Sequence, residues 1–345
     1  VNAVSELLRL EHLAVSLPGP RGPVDVLTDV SLSAAAGEIV GIAGESGSGK
    51  SMTGRALLGL LPDGAQVRGR LEFDGEDLLT LPVRRRQAVR GGDIAMVFQD
   101  PTASLHPMLT IGTQLTEHMR RHLGLSKKAA WSRAAELLQE VRLPDPEAAL
   151  RGFPHQFSGG MRQRIAIAAA LAAEPRVLVA DEPTTALDVT VQAGILHLFD
   201  RLAGERGLTV LFITHDLGVL AALAQRTYVF YAGRVAETGT TADLLTDSRH
   251  PYTTALLSAR PEVTGDGRAV ELTPIPGAPV NAASAPPGCP FAPRCVDRVE
   301  GCSTAAPPLV PVPSRASVPD PRHLAACLVH APAGPNPLAT VEVTR

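Results

Sequence analysis

The chain has 345 residues, 45% hydrophobic, 19% charged and only 3% aromatic, with a formal net charge of −3. At ~150 residues per domain this suggests two domains with a large Leu/Val/Ile/Ala core, and it excludes a disordered chain. The mild acidity and lack of a dominant basic stretch argue against nucleic acid as the partner. No apolar run approaches the ~18–20 residues of a membrane span. The first residues, with Glu6, Arg9, Glu11 and His12 among leucines, are not a secretory segment. The expected location is cytoplasmic, with any membrane association made through partners.

Residues 7–17 and 24–33 carry apolar side chains largely at strand spacing, around the turn-rich stretch 18–23. A buried strand over 38–43 then feeds Gly44-Glu45-Ser46-Gly47-Ser48-Gly49-Lys50-Ser51, which fits the phosphate-binding P-loop G-x-x-x-x-G-K-[ST]. Glycines let successive N–H groups turn toward the β- and γ-phosphates of a nucleotide. The helix starting near Lys50 and running through Met52 to about Leu61 adds its dipole. Lys50 is the mobile charge for the phosphates, and the Ser51 hydroxyl is a ligand for Mg²⁺.

Residues 70–77 read as a strand ending in a turn, and Arg84-Arg85-Arg86 as a solvated helix face rather than a phosphate patch. A strand over 94–98 ends at Gln99, and residues 113–141 read as helical, with Trp131 as a packing or surface residue. Ser158 is a natural N-cap. With Gly159 and Gly160 it opens an Ala-rich helix to about Ala173, leaving bare N–H groups as a second, outward anion site. The β-branched strand over 176–182 ends in Asp181-Glu182, where Mg²⁺ and water would be managed. A further strand over 209–214 ends at His215, at the sheet edge where α/β proteins bind ligands.

Beyond about residue 260 prolines dominate, including 274, 276, 279, 286, 287, 290, 293, 307, 308, 311 and 313, so little regular structure is expected. This is either a tail wrapped over the body or one pinned by its cysteines. All four cysteines lie here, as Cys289, Cys295, Cys302 and Cys327, spaced C-x5-C-x6-C-x24-C. A cytosolic address disfavours disulfides. Four thiolates suit Zn²⁺ or a [4Fe–4S] cluster. The absence of paired C-x2-4-C knuckles favours the larger cluster, with zinc or no metal as the alternatives. His323 and His330 read as surplus surface residues.

The P-loop, Gln99, the stretch Phe157-Ser158-Gly159-Gly160-Met161-Arg162-Gln163-Arg164, Asp181-Glu182 and His215, in this order, resemble the ATPase subunit of an ABC transporter. The stretches 98–107, 250–257 and 288–295 are similar to those of the oligopeptide/dipeptide (and nickel) importer ATPases, in which Met161 is the usual residue.

The resemblance implies an α/β P-loop NTPase fold: a RecA-like core with an antiparallel β subdomain and an inserted helical subdomain at about 101–172. The nucleotide-binding domain would occupy 1–258, and the Pro-rich extension with its four-Cys site 259–345. It also implies ATP and Mg²⁺ as ligands and an iron–sulfur site on the four cysteines. Glu182 would be the general base, Asp181 and Gln99 would serve Mg²⁺, and His215 would touch the γ-phosphate. The loop Thr185–Asp188 would signal across a dimer. Ser158, Gly159 and Gly160 would cap ATP held by a second ABC ATPase subunit, for which the resemblance favours a different chain.

The remaining implied partners are two transmembrane permease subunits and an extracytoplasmic solute-binding protein, with this chain peripheral on the cytoplasmic face of the membrane. Family frequency favours peptide over nickel as the solute. A soluble ABC protein acting on DNA or ribosomes fits less well, because there is no coiled-coil insertion or basic arm. One departure stands out. The family's adenine-stacking aromatic is missing near residues 18–24, and no Phe, Tyr or Trp precedes Phe73.

Overall fold

The computed structural model describes residues 6–185, 187–259, 274–312 and 322–330. The chain opens with β1 (Glu6–Leu17) and β2 (Val24–Ala35), then β3 (Ile39–Ala43) and helix α1 (Lys50–Leu57). Strands β4 (Gln66–Phe73) and β5 (Glu76–Asp77) return beside β1, making an antiparallel sheet in the order β2-β1-β4-β5. The expected strand over 70–77 is therefore two pieces, β4 and β5, joined by a turn at Asp74-Gly75. Helix α2 (Val83–Gly92) and β6 (Ile94–Val97) follow. Arg85 and Arg86 on α2 are spent locally, Arg85 on Glu76 and Asp93 and Arg86 on the carbonyls of Leu79 and Leu81, which agrees with a structural role for the arginine run.

A helical region comes next: α3 (Pro101–Ser104), α4 (Ile111–His122), α5 (Lys127–Glu140), α6 (Pro146–Arg151) and α7 (Gly159–Leu171). The single helical stretch expected over 113–141 is two helices. Gly124 takes a positive φ of 66°, and the Ser126 hydroxyl accepts from the Ala129 N–H (3.3 Å), restarting the helix as α5. Trp131 is half-buried against α4, where a Cβ on Gly112 would lie 2.5 Å from its ring.

Strand β7 (Val177–Asp181), helix α8 (Val189–Arg206), strand β8 (Thr209–Ile213) and helix α9 (Leu217–Ala221) lead to β9 (Arg226–Tyr231) and β10 (Arg234–Thr240). Helices α10 (Thr241–Thr246) and α11 (Pro251–Ser258) complete this part, and the two-residue strands β11 (Val310–Pro311) and β12 (Leu324–Ala325) come last.

The large sheet runs β11-β12-β10-β9-β3-β8-β7-β6. Its strands β9, β3, β8, β7 and β6 are parallel, and every residue of β3, β7 and β8 is buried. That is what continuous apolar runs do when both faces of a sheet are covered. Alternate residues serve opposite cores. Ile39, Leu178, Val210 and Phe212 pack with α4 to α8, whereas Val40, Val179, Leu211 and Ile213 pack with α1 and the antiparallel sheet.

The Pro-rich segment does not only wrap. Strand β12 pairs with β10 and carries β11 beyond it, so the tail extends the main sheet. This pairing also corrects the expectation for His323. Far from being on the surface, it is fully buried with Nε2 2.8 Å from Glu237 Oε1, both side chains 0% exposed. Glu237 on β10 also accepts from the backbone N–H groups of Arg249 (2.6 Å) and His250 (3.0 Å). A carboxylate taken out of water requires such donors, and His323 supplies one more. His330 is exposed, as expected.

Candidate functional site

Gly44 follows β3 with φ 143°, and a Cβ there would lie 2.2 Å from the Phe230 carbonyl, so only glycine lets the loop leave the sheet edge this closely. The loop closes on Gly49, itself at φ 104°, the N-cap of α1. It offers no side chain to that helix, so the first-turn N–H groups stay free for an anion. The Ser48 hydroxyl is buried and has no partner among the described residues, a further unsatisfied group in the same cradle.

Lys50 is buried, and its ammonium donates to the carbonyls of Gly44 (2.8 Å) and Glu45 (2.9 Å). Burial pulls its pKa below the usual lysine range, against the upward pull of Glu182, Asp181 and Glu45. Removed from water and surrounded by acceptors, this charge is prepared for a phosphate. Ser46, Gly47 and Met52 lie in the same loop and first helical turn.

The two carboxylates expected at the end of β7 stand apart in environment. Asp181 is buried and accepts from the Ser51 hydroxyl at 2.7 Å. Burial raises its pKa, with the Ser51 bond opposing and neighbouring Glu182 adding to the rise. A hydroxyl and a carboxylate side by side are the hard oxygen donors that suit Mg²⁺.

Glu182 leaves the strand with φ 47°, its N–H bonded to the Ile213 carbonyl of β8 (2.9 Å). Three side chains converge on its carboxylate. Gln99 Nε2 donates to Oε2 (3.0 Å), the Thr185 hydroxyl donates to Oε2 (2.9 Å), and His215 Nδ1 lies 3.4 Å from Oε1. Gln99, Glu182 and His215, chosen separately in the sequence at three strand ends, are thus one cluster. The role of Thr185 in it was not legible, since its hydroxyl reaches Glu182 only through the turn after β7. In the loop Thr185–Asp188, Ala186 lies outside the described residues. Asp188 caps α8 by accepting from Val191 N–H (2.9 Å).

Ser158, Gly159 and Gly160 are elsewhere. Ser158 caps α7, accepting from Met161 N–H (3.3 Å), and Ser158 and Gly159 are exposed. No hydrogen bond among the described residues joins them to Gly44–Ser51. They open a helix end of their own, with Ser158 and Gly159 facing solvent.

The P-loop has partners that the sequence did not single out as such. Glu45 N–H donates to the Tyr252 hydroxyl (2.8 Å), and the Glu45 carboxylate meets the guanidinium of Arg294, 249 positions away. Tyr252 and Arg294 lie inside two of the stretches that carry the family resemblance, but nothing in one dimension pairs them with Glu45.

The four cysteines are free, with Cys289, Cys302 and Cys327 buried. They are electrostatic neighbours: Cys289 feels Cys302 and Cys327, and Cys295 feels Cys289 and Cys327. Burial raises Cys289 and Cys327, and it pushes Cys295 up to about 11, against the opposing hydrogen bond from the Asp297 backbone. The expected iron–sulfur site is not met by a closed ligand set. Among the described residues no group of three or more His, Cys, Asp or Glu is arranged to hold a metal ion.

Residues 27–185 match the ABC transporter family model, and residues 236–302 match the model of the oligopeptide/dipeptide transporter C-terminal region. The chain is similar to the dipeptide transport ATP-binding protein DppD of Bacillus subtilis, 47% identical over 306 residues, covering 88% of this chain and 91% of the relative. It is 44% identical over 301 residues to the oligopeptide transport ATP-binding protein OppD of Salmonella typhimurium, covering 87% and 89%. Among solved structures it resembles the dimeric ATP-binding cassette MJ0796 in a post-hydrolysis state bound to ADP and Pi, with TM-score 0.61, 29% identity, 68% of this chain and 98% of the other. It also resembles cbiO1 from Clostridium perfringens, with TM-score 0.60, 26% identity, 70% of this chain and 91% of the other.

Proposed function

The chain belongs to the ABC transporter ATPases, in the branch of the oligopeptide and dipeptide ATP-binding proteins, and from that premise we propose that it hydrolyses ATP to drive peptide import through partner permeases. The observation that carries this is the convergence of Gln99, Thr185 and His215 on Glu182, beside Ser51–Asp181 and behind a P-loop.

In this reading Glu182 is the general base for the attacking water. Gln99 and Thr185 hold its carboxylate by donating to Oε2, which fixes its orientation, and Oε1, with His215 Nδ1 3.4 Å away, is the oxygen that would meet the water. His215, within reach of the same carboxylate, contributes at the γ-phosphate. Gly44–Ser51 and Met52 bind the triphosphate, with Lys50 exchanging its carbonyl acceptors for phosphate oxygens. Mg²⁺, when bound, neutralises charge developing on the phosphates, and Ser51, Asp181 and Gln99 are the groups to hold it. Nickel or another solute is the alternative cargo.

The exposed Ser158–Gly160 end supports a shared site in which this chain caps ATP on a second ABC ATPase, a different chain by resemblance. Asp188, which caps α8, belongs by the same resemblance to the loop that would signal across the pair. Two transmembrane permeases and a solute-binding protein would complete the assembly, with this chain peripheral on the cytoplasmic membrane face. Among the described residues no helix is long and apolar enough to cross a membrane. The domain division at about residue 258, with the helical insertion at about 101–172, belongs to the same proposal.

The finer reading of the extension, a [4Fe–4S] cluster on Cys289, Cys295, Cys302 and Cys327, rests on the donor chemistry: four free thiols gathered in one short segment, three of them buried. A four-iron cluster needs its ligands further apart than one ion does. Anaerobic purification giving a brown protein with about four irons per chain is the expected result, and a colourless protein would remove the cluster while leaving the ATPase reading intact.

The transport reading is tested by reconstituting the chain with its permeases and companion ATPase in vesicles. ATP-dependent uptake of labelled peptide that stops with Glu182→Gln is expected, and peptide-independent ATPase with no uptake would count against it.

A further inference from the structure

Arg294 ends a short turn, Ala292–Arg294, directly before Cys295. Its guanidinium is held on every side. Nη1 and Nη2 make a bidentate pair with Glu45 Oε2 and Oε1 at 2.6 and 3.0 Å. Nε donates to the Pro276 carbonyl (2.8 Å) and Nη1 also to the Tyr231 hydroxyl (3.3 Å). The rings of Tyr231 and Phe291 lie under it at 5.9 and 5.8 Å, and the side chain is 3% exposed. A fork fixed this completely is built to receive one carboxylate.

That carboxylate belongs to the second residue of the P-loop. Glu45 is gripped at three points: its side chain by Arg294, its N–H by the Tyr252 hydroxyl, and its carbonyl by Lys50. Tyr231, Tyr252 and Phe291 pack as one aromatic group, with ring centroids 4.6 to 5.3 Å apart, so the grips share a rigid base.

A negative side chain in a loop that must cradle a triphosphate is a hazard. Left unpaired, it would repel the phosphates and compete for Lys50, whose charge it already feels. We propose that Arg294 is a positioning residue of the nucleotide site: it holds and neutralises the Glu45 carboxylate so that the loop and Lys50 remain available to ATP, and thereby makes the C-terminal extension a working part of that site. This rests on the ATPase reading above and goes beyond it, adding a part in the nucleotide site to the extension's place in the sheet.

The test is the dissociation constant for MgATP, measured calorimetrically on the full chain and on Arg294→Ala, Arg294→Lys, Glu45→Gln and the Arg294→Ala/Glu45→Gln double variant. Arg294→Ala should weaken binding by about tenfold or more, the consequence of leaving a desolvated charge unmatched. Arg294→Lys, which keeps the charge without the fork, should lose less. In the Glu45→Gln background the same Arg294→Ala change should cost little, because no carboxylate remains to be neutralised.

Wild-type affinity in Arg294→Ala, or an equal loss in both backgrounds, would overturn the inference and reduce Arg294 to a fastener of the extension. Should Arg294→Ala fail to fold, the comparison of Arg294→Lys with and without Glu45→Gln decides in the same way. A wild-type chain that binds no MgATP would instead strike the ATPase reading itself.

Discussion

The helix ends at Gly49 and at Ser158 are built in opposite ways. The P-loop end is closed in by its own chain: Lys50 on loop carbonyls, Ser51 on Asp181, Glu45 on Arg294 and Tyr252, and the Gln99–Glu182–Thr185–His215 cluster beside it. The Ser158 end has only its own cap, with Ser158 and Gly159 open to solvent. A catalytic constellation needs both phosphate binding and closure against water. One chain encloses the first of these and leaves its Ser158 end outward, which is the arrangement that the proposed site shared between two ATPase subunits requires.

The comparison breaks most completely at Lys50. Lys50→Ala should abolish measurable MgATP binding by this chain while leaving the outward Ser158 end intact, so the partner's site should still bind nucleotide. Retained binding here would mean that the loop amides alone carry the phosphate. Glu182→Gln should leave MgATP affinity near wild type but lower the hydrolysis rate by roughly 10²–10⁴-fold, the usual cost of a lost general base. Single-turnover kinetics at wild-type rate would move the base elsewhere.

Smaller effects sharpen the picture at the extension. His323→Ala leaves Glu237 buried with only its two backbone donors and should cost roughly 1–3 kcal/mol in thermal or denaturant unfolding. An unchanged midpoint would mean that water replaces the imidazole freely. The same region should also carry a pH dependence. Burial holds His250 down to about 4 from the ordinary 6.5, with Glu237 and the Ala326 backbone pulling it up and His330 pushing it down. Its Nδ1 accepts from Tyr252 N–H (3.0 Å), a bond that needs the neutral ring. Because the unfolded state binds the proton more readily, this contribution is fully present above pH 6.5 and is lost as pH falls from 6.5 toward about 4. Denaturant midpoints measured across that range should fall, and His250→Gln should flatten the fall.

How much of this the sequence showed follows from the range of the interactions. The P-loop, the strands ending at Gln99, Asp181-Glu182 and His215, and the cap at Ser158 are local patterns: apolar runs, Gly at turns, a cap before a helix. Sheet order β3-β8-β7-β6 then brings their ends together, which pattern alone anticipates for a parallel sheet. Apolar spacing reads as one helix across the gap between α4 and α5, although Gly124 and Ser126 mark the break. Arg294–Glu45 and His323–Glu237 were out of reach, being polar pairs between segments 249 and 86 positions apart. A lone histidine in a Pro-rich tail reads as a surface residue until the strand pairing of β12 with β10 carries it over a buried carboxylate.

The most direct test of the two-ended account is to ask whether Ser158 acts in another chain's site. The Glu182→Gln chain, mixed with its companion ATPase, is followed by analytical ultracentrifugation with MgATP and with MgADP, with and without Ser158→Arg. The account predicts a two-subunit species formed with ATP, absent with ADP, and lost on Ser158→Arg although this chain still binds MgATP at its own P-loop. ATP-driven association that survives Ser158→Arg would contradict it, as would full ATPase activity from a strictly monomeric wild-type chain.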